Sequence, residues 1–216
     1  MELPSPELRI FFERAVTQYQ SDLTTDTFAQ EYLSRRGFTS AVAATFRLGV
    51  VRHPIEGQER FRGRLSIPYL TRAGVVNMRF RCLRQHLCKP EGCPKYLPAI
   101  DGMEGNLFNV NDTFADGDSI AVTEGELDAI SCSISGIPAV GMPGATQWKP
   151  HWKRVLEDFP VVYAVGDGDE AGSKFNAKLM KELKAIPIKM ANGEDCNAEY
   201  QRGGAERVRA LFPRPD

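Results

Sequence analysis

Three acidic runs each stand directly after a short apolar stretch. Glu124-Gly125-Glu126-Leu127-Asp128 follows SIAVT, Gly166-Asp167-Gly168-Asp169-Glu170 follows PVVYAV, and Asn192-Gly193-Glu194-Asp195 follows IPIKM. If each apolar stretch is a parallel strand, the acids gather at the carboxyl ends of the sheet, where open α/β folds hold their ligands. Two unit charges about 4 Å apart repel by roughly 4 kcal/mol at an effective dielectric of 20, so such a cluster requires a compensating cation. Oxygen ligands with no His or Cys among them select a hard ion, Mg²⁺ or Mn²⁺. In Asp167-Gly168-Asp169 the glycine permits a tight turn, and both carboxylates can then face one ion. Ions held this way keep positions open for triphosphate oxygens and an attacking hydroxyl. Glu126, Glu170 and Glu194 fit a second reading, as acids placed at helix starts by the partial positive charge there. The run from Asp167 is not an EF-hand, because its twelfth position is Lys178 where a bidentate Glu is needed. A dinucleotide fingerprint is excluded as well, since no G-x-G-x-x-G follows a strand.

A second set of metal-type residues lies upstream. Cys82, His86, Cys88 and Cys93 supply four N/S groups inside one loop, spaced C-x3-H-x-C-x4-C rather than as paired knuckles. Two readings stay open for them, a structural Zn²⁺ and unligated thiols in a basic loop. Five cysteines in a chain of 216 residues do not suggest a disulfide framework. Charge is unevenly spread: Arg47 to Lys95 carries eleven Lys and Arg against three Asp and Glu, whereas Asp116 to the end carries twelve basic against sixteen acidic residues. A basic strip followed by an acidic segment suits a protein that holds polyanions near bound cations. No apolar run reaches the roughly 18 residues of a membrane helix, and the first residues lack the order of a secretory signal, which together place the expectation in the cytoplasm.

The elements that must carry these groups follow from periodicity. Ser5 to Gln20 and Thr24 to Phe46 read as helical, with Gly37 as a stop before a third short helix. LSIPYL, the turn Thr71-Arg72-Ala73-Gly74 and VVNMRFRCL form a hairpin pattern. From Asp118 onward, strands SIAVT, IPAVGM, PVVYAV and IPIKM alternate with helices near 127–135, 149–158 and 173–185, the pattern of βαβ units. Trp148 and Trp152 read as core or sheet-covering residues, and Cys132 as packing in an apolar helix. The expected architecture is α/β: a small mixed α+β basic subdomain over residues 1–115, then a parallel-sheet, Rossmann-like domain over 116–216.

VTEGELDAIS, YAVGDGDEAG and NGEDCNAEY, in that order, resemble the glutamate, Asp-x-Asp and trailing-aspartate motifs of the Toprim superfamily. Upstream, YLSRRGF, RFRGRLSIPYLTRAGVVNMRFR and PKYL resemble the polymerase core of bacterial-type, DnaG-like DNA primases, so the likeness runs from about Tyr32 to Gly204. The resemblance implies a Toprim domain and synthesis of short RNA primers on single-stranded DNA from ribonucleoside triphosphates. It implies that Glu124 positions or deprotonates the attacking 3′-hydroxyl, that Asp167 and Asp169 bind the metal ions, and that Asp128 and Asp195 complete the pocket. It assigns template or nucleotide contacts to Arg62, Arg64, Arg81, Lys95 and Tyr96. Where the family has a second acid in its third motif this chain has Asn197, preceded by Cys196, which leaves one charge fewer. The family's zinc-ribbon and helicase-binding modules have no counterpart here, so the expectation is a minimal core of the kind a phage encodes, served in trans by a zinc-ribbon module and a replicative helicase. The rival readings are a phosphodiester-cleaving Toprim nuclease and a non-catalytic nucleic-acid-binding accessory protein.

Overall fold

Side-chain caps decide where the first helices begin. Ser5 accepts the Leu8 N–H at 3.3 Å and Pro6 takes the first helical position, opening α1 (Pro6–Leu23). Asp26 caps α2 (Thr27–Arg35) and Thr39 caps α3 (Ser40–Thr45). Between these two helices Gly37 adopts φ +76°, the left-handed stop that the sequence suggests. The structure is a computed structural model describing residues 3–84, 86, 88, 90–102 and 105–213. Two compact units make up the chain, Met1–Glu104 and Gly105–Asp216.

In the first unit, β1 (Gly49–Val50), β2 (Arg64–Thr71), β3 (Gly74–Cys82) and β4 (Tyr96–Pro98) form an antiparallel sheet in that order. The expected hairpin is β2–β3, closed where Thr71 pairs with Gly74. Helix α1 packs on this sheet through Phe12, Ala15, Val16 and Tyr19, all fully buried. Burial of such a side chain stabilises by about 1.5–3 kcal/mol, and Phe61 stacked on Phe80 at 3.9 Å completes the layer.

The second unit holds β5 (Ser119–Thr123), α4 (Glu126–Ile134), β6 (Ala139–Gly141), α5 (Lys153–Leu156), β7 (Val161–Val165), α6 (Glu170–Leu183), β8 (Ile186–Pro187) and α7 (Cys196–Arg209). Its sheet is parallel, in the order β6-β5-β7-β8. Ile120, Val122, Val140, Val162 and Ala164 pack with Trp152, Leu156, Phe175 and Leu179 in one core. Trp148 and Trp152 belong to that core, edge to face at 6.1 Å. Three local readings change. The strand expected at IPIKM is only the two residues of β8, an edge element in which Pro187 has no N–H to give the ladder. The helix expected over 149–158 is a 3₁₀ turn at Pro150–Trp152 followed by the single turn α5. Helix α7 was not anticipated.

Candidate active site

β5 and β7 are parallel neighbours with Thr123 opposite Val165, so the two acidic loops leave the sheet at the same edge. Main-chain hydrogen bonds then tie the loops together. Glu124 Oε1 accepts the Asp167 N–H at 2.8 Å. The Gly168 N–H donates to Glu194 O at 2.7 Å, and the Gly193 N–H donates back to Gly168 O at 2.8 Å, joining the loop after β7 to the loop after β8. This strap leaves no room for side chains at its centre. A Cβ on Gly168 would lie 1.8 Å from Ala191 O, and one on Gly172 would lie 1.9 Å from Asp167 O.

Two of the acids also start helices. Asp169 Oδ1 accepts the Gly172 N–H at 2.8 Å to cap α6, and Asp195 Oδ1 accepts the Ala198 N–H at 2.7 Å to cap α7. Asp128, in the first turn of α4, accepts the Asn197 N–H at 3.0 Å and so links α4 to α7. Glu124 is half-buried, and its carboxyl titrates above the ordinary range. Burial is the main cause, the Asp167 N–H opposes it, and the charges of Asp169 and Asp128 add to it. A cation among these groups would remove that penalty. All-oxygen donors at this sheet edge therefore fit a hard divalent ion.

Among the described residues, the set of at least three His, Cys, Asp or Glu whose ligand atoms all lie within 4.8 Å of one another is Cys82, His86, Cys88 and Cys93.

The family described as Toprim-like matches residues 121–199, the stretch from β5 into α7 that carries all five of these acids. The gene 57 protein of Mycobacterium phage D29 is 37% identical over 149 residues, which is 68% of this chain and 97% of the relative. The RNA polymerase domain of Mycobacterium tuberculosis primase DnaG superposes with a TM-score of 0.78 at 22% identity, covering 96% of this chain and 83% of that one. The chain belongs to the family of that phage gene 57 protein, carries a Toprim-like segment and has the fold of DnaG catalytic domains. A DnaG primase catalytic domain bound to single-stranded DNA shares this fold too, with a TM-score of 0.75, 23% identity, and coverage of 94% and 77% of the two chains.

In the first unit of this DnaG-like chain the basic residues differ in how they are held. Arg62 is exposed and donates to Arg52 O at 2.7 Å. Arg64 donates to Pro94 O at 2.8 Å and to Cys93 Sγ at 3.4 Å, so it faces the cysteine loop. Lys95 is exposed. Arg81 is only 8% exposed and donates to the Tyr96 hydroxyl. The Tyr96 ring also lies under Arg79, at 4.5 Å, and beside Arg81, at 5.1 Å, a cation–π arrangement that fixes its plane.

The Asn197 departure has a structural use in this Toprim unit. Asn197 is fully buried; its Nδ2 donates to Ser131 Oγ at 3.0 Å, and its Oδ1 accepts from Gln201 at 2.8 Å. The side chain joins α7 to α4. Sequence reasoning passed over Glu91, whose Oε2 lies 2.6 Å from His86 Nδ1. Its only signal is an acid inside a loop that already holds three Cys and one His.

Proposed function

We propose that this chain is the catalytic core of a DNA primase, joining ribonucleotides into short primers on single-stranded DNA. The observation that carries the reading is the direct tie from Glu124 to the Asp167 main chain, which draws the acids after β5 and β7 to one place on a DnaG-like fold. Mg²⁺ or Mn²⁺, held by Asp167, Asp169, Asp128, Asp195 and Glu124, would supply charge neutralisation for triphosphate oxygens and acidify the attacking hydroxyl.

The chain's own side chains divide the remaining work. Glu124, whose burial and acidic neighbours raise its pKa above the ordinary carboxylate value, is suited to accept or orient the 3′-hydroxyl proton. Asp169 and Asp195 are held still by their helix caps, which reduces the reorganisation needed when substrate arrives. Lys95 and Arg62, exposed in the basic unit, are suited to template or nucleotide phosphates, with Arg64 at the start of β2 facing the cysteine loop and Arg81 setting the pose of Tyr96. We infer that ribonucleoside triphosphates and a single-stranded template are the substrates, that the host cytoplasm is the place of action, and that a zinc-ribbon module and a replicative helicase cooperate in trans. Among the described residues no helix is long and apolar enough to cross a membrane.

The test is an assay with single-stranded DNA, ribonucleoside triphosphates and Mg²⁺ or Mn²⁺. Short RNA products should form, and fall at least about a hundredfold in Asp167→Asn and Asp169→Asn. Asn caps a helix as well as Asp does, so Asp169→Asn should stay folded. Nicked DNA without RNA would replace this reading with a nuclease, and salt-sensitive DNA binding without turnover would replace it with an accessory protein.

A further inference from the structure

We propose that Cys82, His86, Cys88 and Cys93 form a closed, structural Zn²⁺ site that pins the connection between β3 and β4. The geometry supports it first. Cys82 Sγ and Cys88 Sγ each lie 3.4 Å from His86 Nε2, and Cys93 Sγ lies 3.7 Å from Cys82 Sγ. A zinc tetrahedron with Zn–S about 2.3 Å and Zn–N about 2.0–2.1 Å has S···N edges near ~3.5 Å and S···S edges near ~3.8 Å. These three distances match the edges of such a tetrahedron, and all four ligand atoms lie within 4.8 Å of one another.

A second, independent observation is the partner of the imidazole. Glu91 Oε2 lies 2.6 Å from His86 Nδ1, so that nitrogen donates to the carboxylate and Nε2 is left to face the three sulfurs. A carboxylate behind a ligating histidine, fixing its tautomer and ring plane, is the usual outer partner of a zinc ligand. On the opposite side, Arg64 Nη2 donates to Cys93 Sγ at 3.4 Å. Three thiolates, one neutral imidazole and Zn²⁺ sum to a single negative charge, which this guanidinium offsets. Binding displaces the three thiol protons to solvent. Four protein ligands leave no open coordination position, which marks the site as structural and not catalytic.

The site has a specific thing to hold. Cys82 ends β3 and its N–H donates to Lys95 O at 2.9 Å; Cys93 lies two residues before Lys95. Beyond the buried Leu83, the described residues between them form turns and bends and are half-buried or exposed, so among them little apolar burial holds the connection. A metal clip supplies what packing does not, and sets the start of β4 where Lys95 and Tyr96 stand. Only the value of that placement for DNA contact rests on the primase reading; metal binding does not.

The full chain, purified without chelators, should contain one zinc per chain by elemental analysis, and Co²⁺ substituted for it should give the visible spectrum of a tetrahedral thiolate site. Glu91→Gln, an exposed change that should not disturb folding, should weaken Zn²⁺ binding about 10- to 100-fold. Cys88→Ser and Cys93→Ser should abolish it, while Asp169→Asn should leave it intact. Removing zinc should speed tryptic cleavage after Arg84, and restoring zinc should slow it again. A chain that takes up no zinc and gives no tetrahedral Co²⁺ spectrum overturns the proposal, as does zinc that survives in Cys88→Ser and Cys93→Ser. Loss of primer synthesis with zinc still bound would count against the primase reading alone.

Discussion

Each unit buries part of a carboxylate, and the two are treated in opposite ways. Asp22, in the first unit, is 4% exposed and accepts the N–H groups of Arg52 at 3.0 Å and His53 at 2.9 Å, the Gln18 amide at 2.9 Å, and contacts the His53 ring at 2.8 Å. Burial works to raise its pKa, but the His53 ring and these donors outweigh it and the carboxyl titrates below its usual range. Glu124, in the second unit, has one main-chain donor and faces Asp169 and Asp128, and it titrates above its usual range. The difference separates a carboxylate whose donors outweigh its burial from one whose burial and like-charged neighbours outweigh its single donor. A structural acid lowers its own pKa; an acid kept for chemistry tolerates a raised one.

The contrast can be broken in three places. Glu124→Gln keeps an acceptor for the Asp167 N–H but removes the charge, so primer synthesis should drop at least about a hundredfold. Because a raised folded pKa adds stability only at low pH and loses it as pH rises through the folded value, ionised Glu124 destabilises the metal-free chain near neutrality. The same variant should therefore melt roughly 1–3 °C higher than wild type without metal, by calorimetry. No stability gain would show that Glu124 is as satisfied as Asp22. Asp22→Asn should do the reverse, costing about 2–4 kcal/mol in urea unfolding through lost charge-assisted hydrogen bonds. The contribution of Asp22 is fully present above the unfolded carboxylate value near ~3.9 and is lost as pH falls through its lower folded value, so wild type, not the variant, should lose stability steeply in that acid window. The smallest effect is at the exposed end of the scale. Lys95→Ala should weaken single-stranded DNA binding several-fold and flatten the salt dependence by about 0.7 in log–log slope, with the melting point unmoved.

How much of this was legible depended on whether the deciding contact leaves a mark in the sequence. SIAVT and PVVYAV announced β5 and β7 because buried parallel strands are continuous apolar runs, and the acids beyond them were conspicuous for the same reason. Helix α7 was invisible because its buried face is Cys196, Asn197, Glu199 and Val208, with only one aliphatic residue among them, and because Gly203 and Gly204 break the helical geometry inside it. Glu199 is tolerated there by ion pairs to Arg202 and Arg207. The ties that assemble the acidic loops run to backbone N–H groups of Asp167, Gly168 and Gly193, and a backbone donor has no sequence signature. Asp22 went unnoticed because its partners at Arg52 and His53 are some thirty residues away. Arg79 and Arg81 look alike in the hairpin, yet Arg81 lies under Tyr32 and Tyr96 while Arg79 is only partly covered.

Asp169 and Asp195 each commit one oxygen to the first turn of their own helix. The position of each carboxylate is thus indexed to a rigid rod instead of to a floppy loop, and any slippage of α6 or α7 along its axis would carry an acid away with it. Lengthening either side chain by one methylene, as glutamate would, should unseat the carboxylate from that reference mark, so glutamate should not replace aspartate at these two positions.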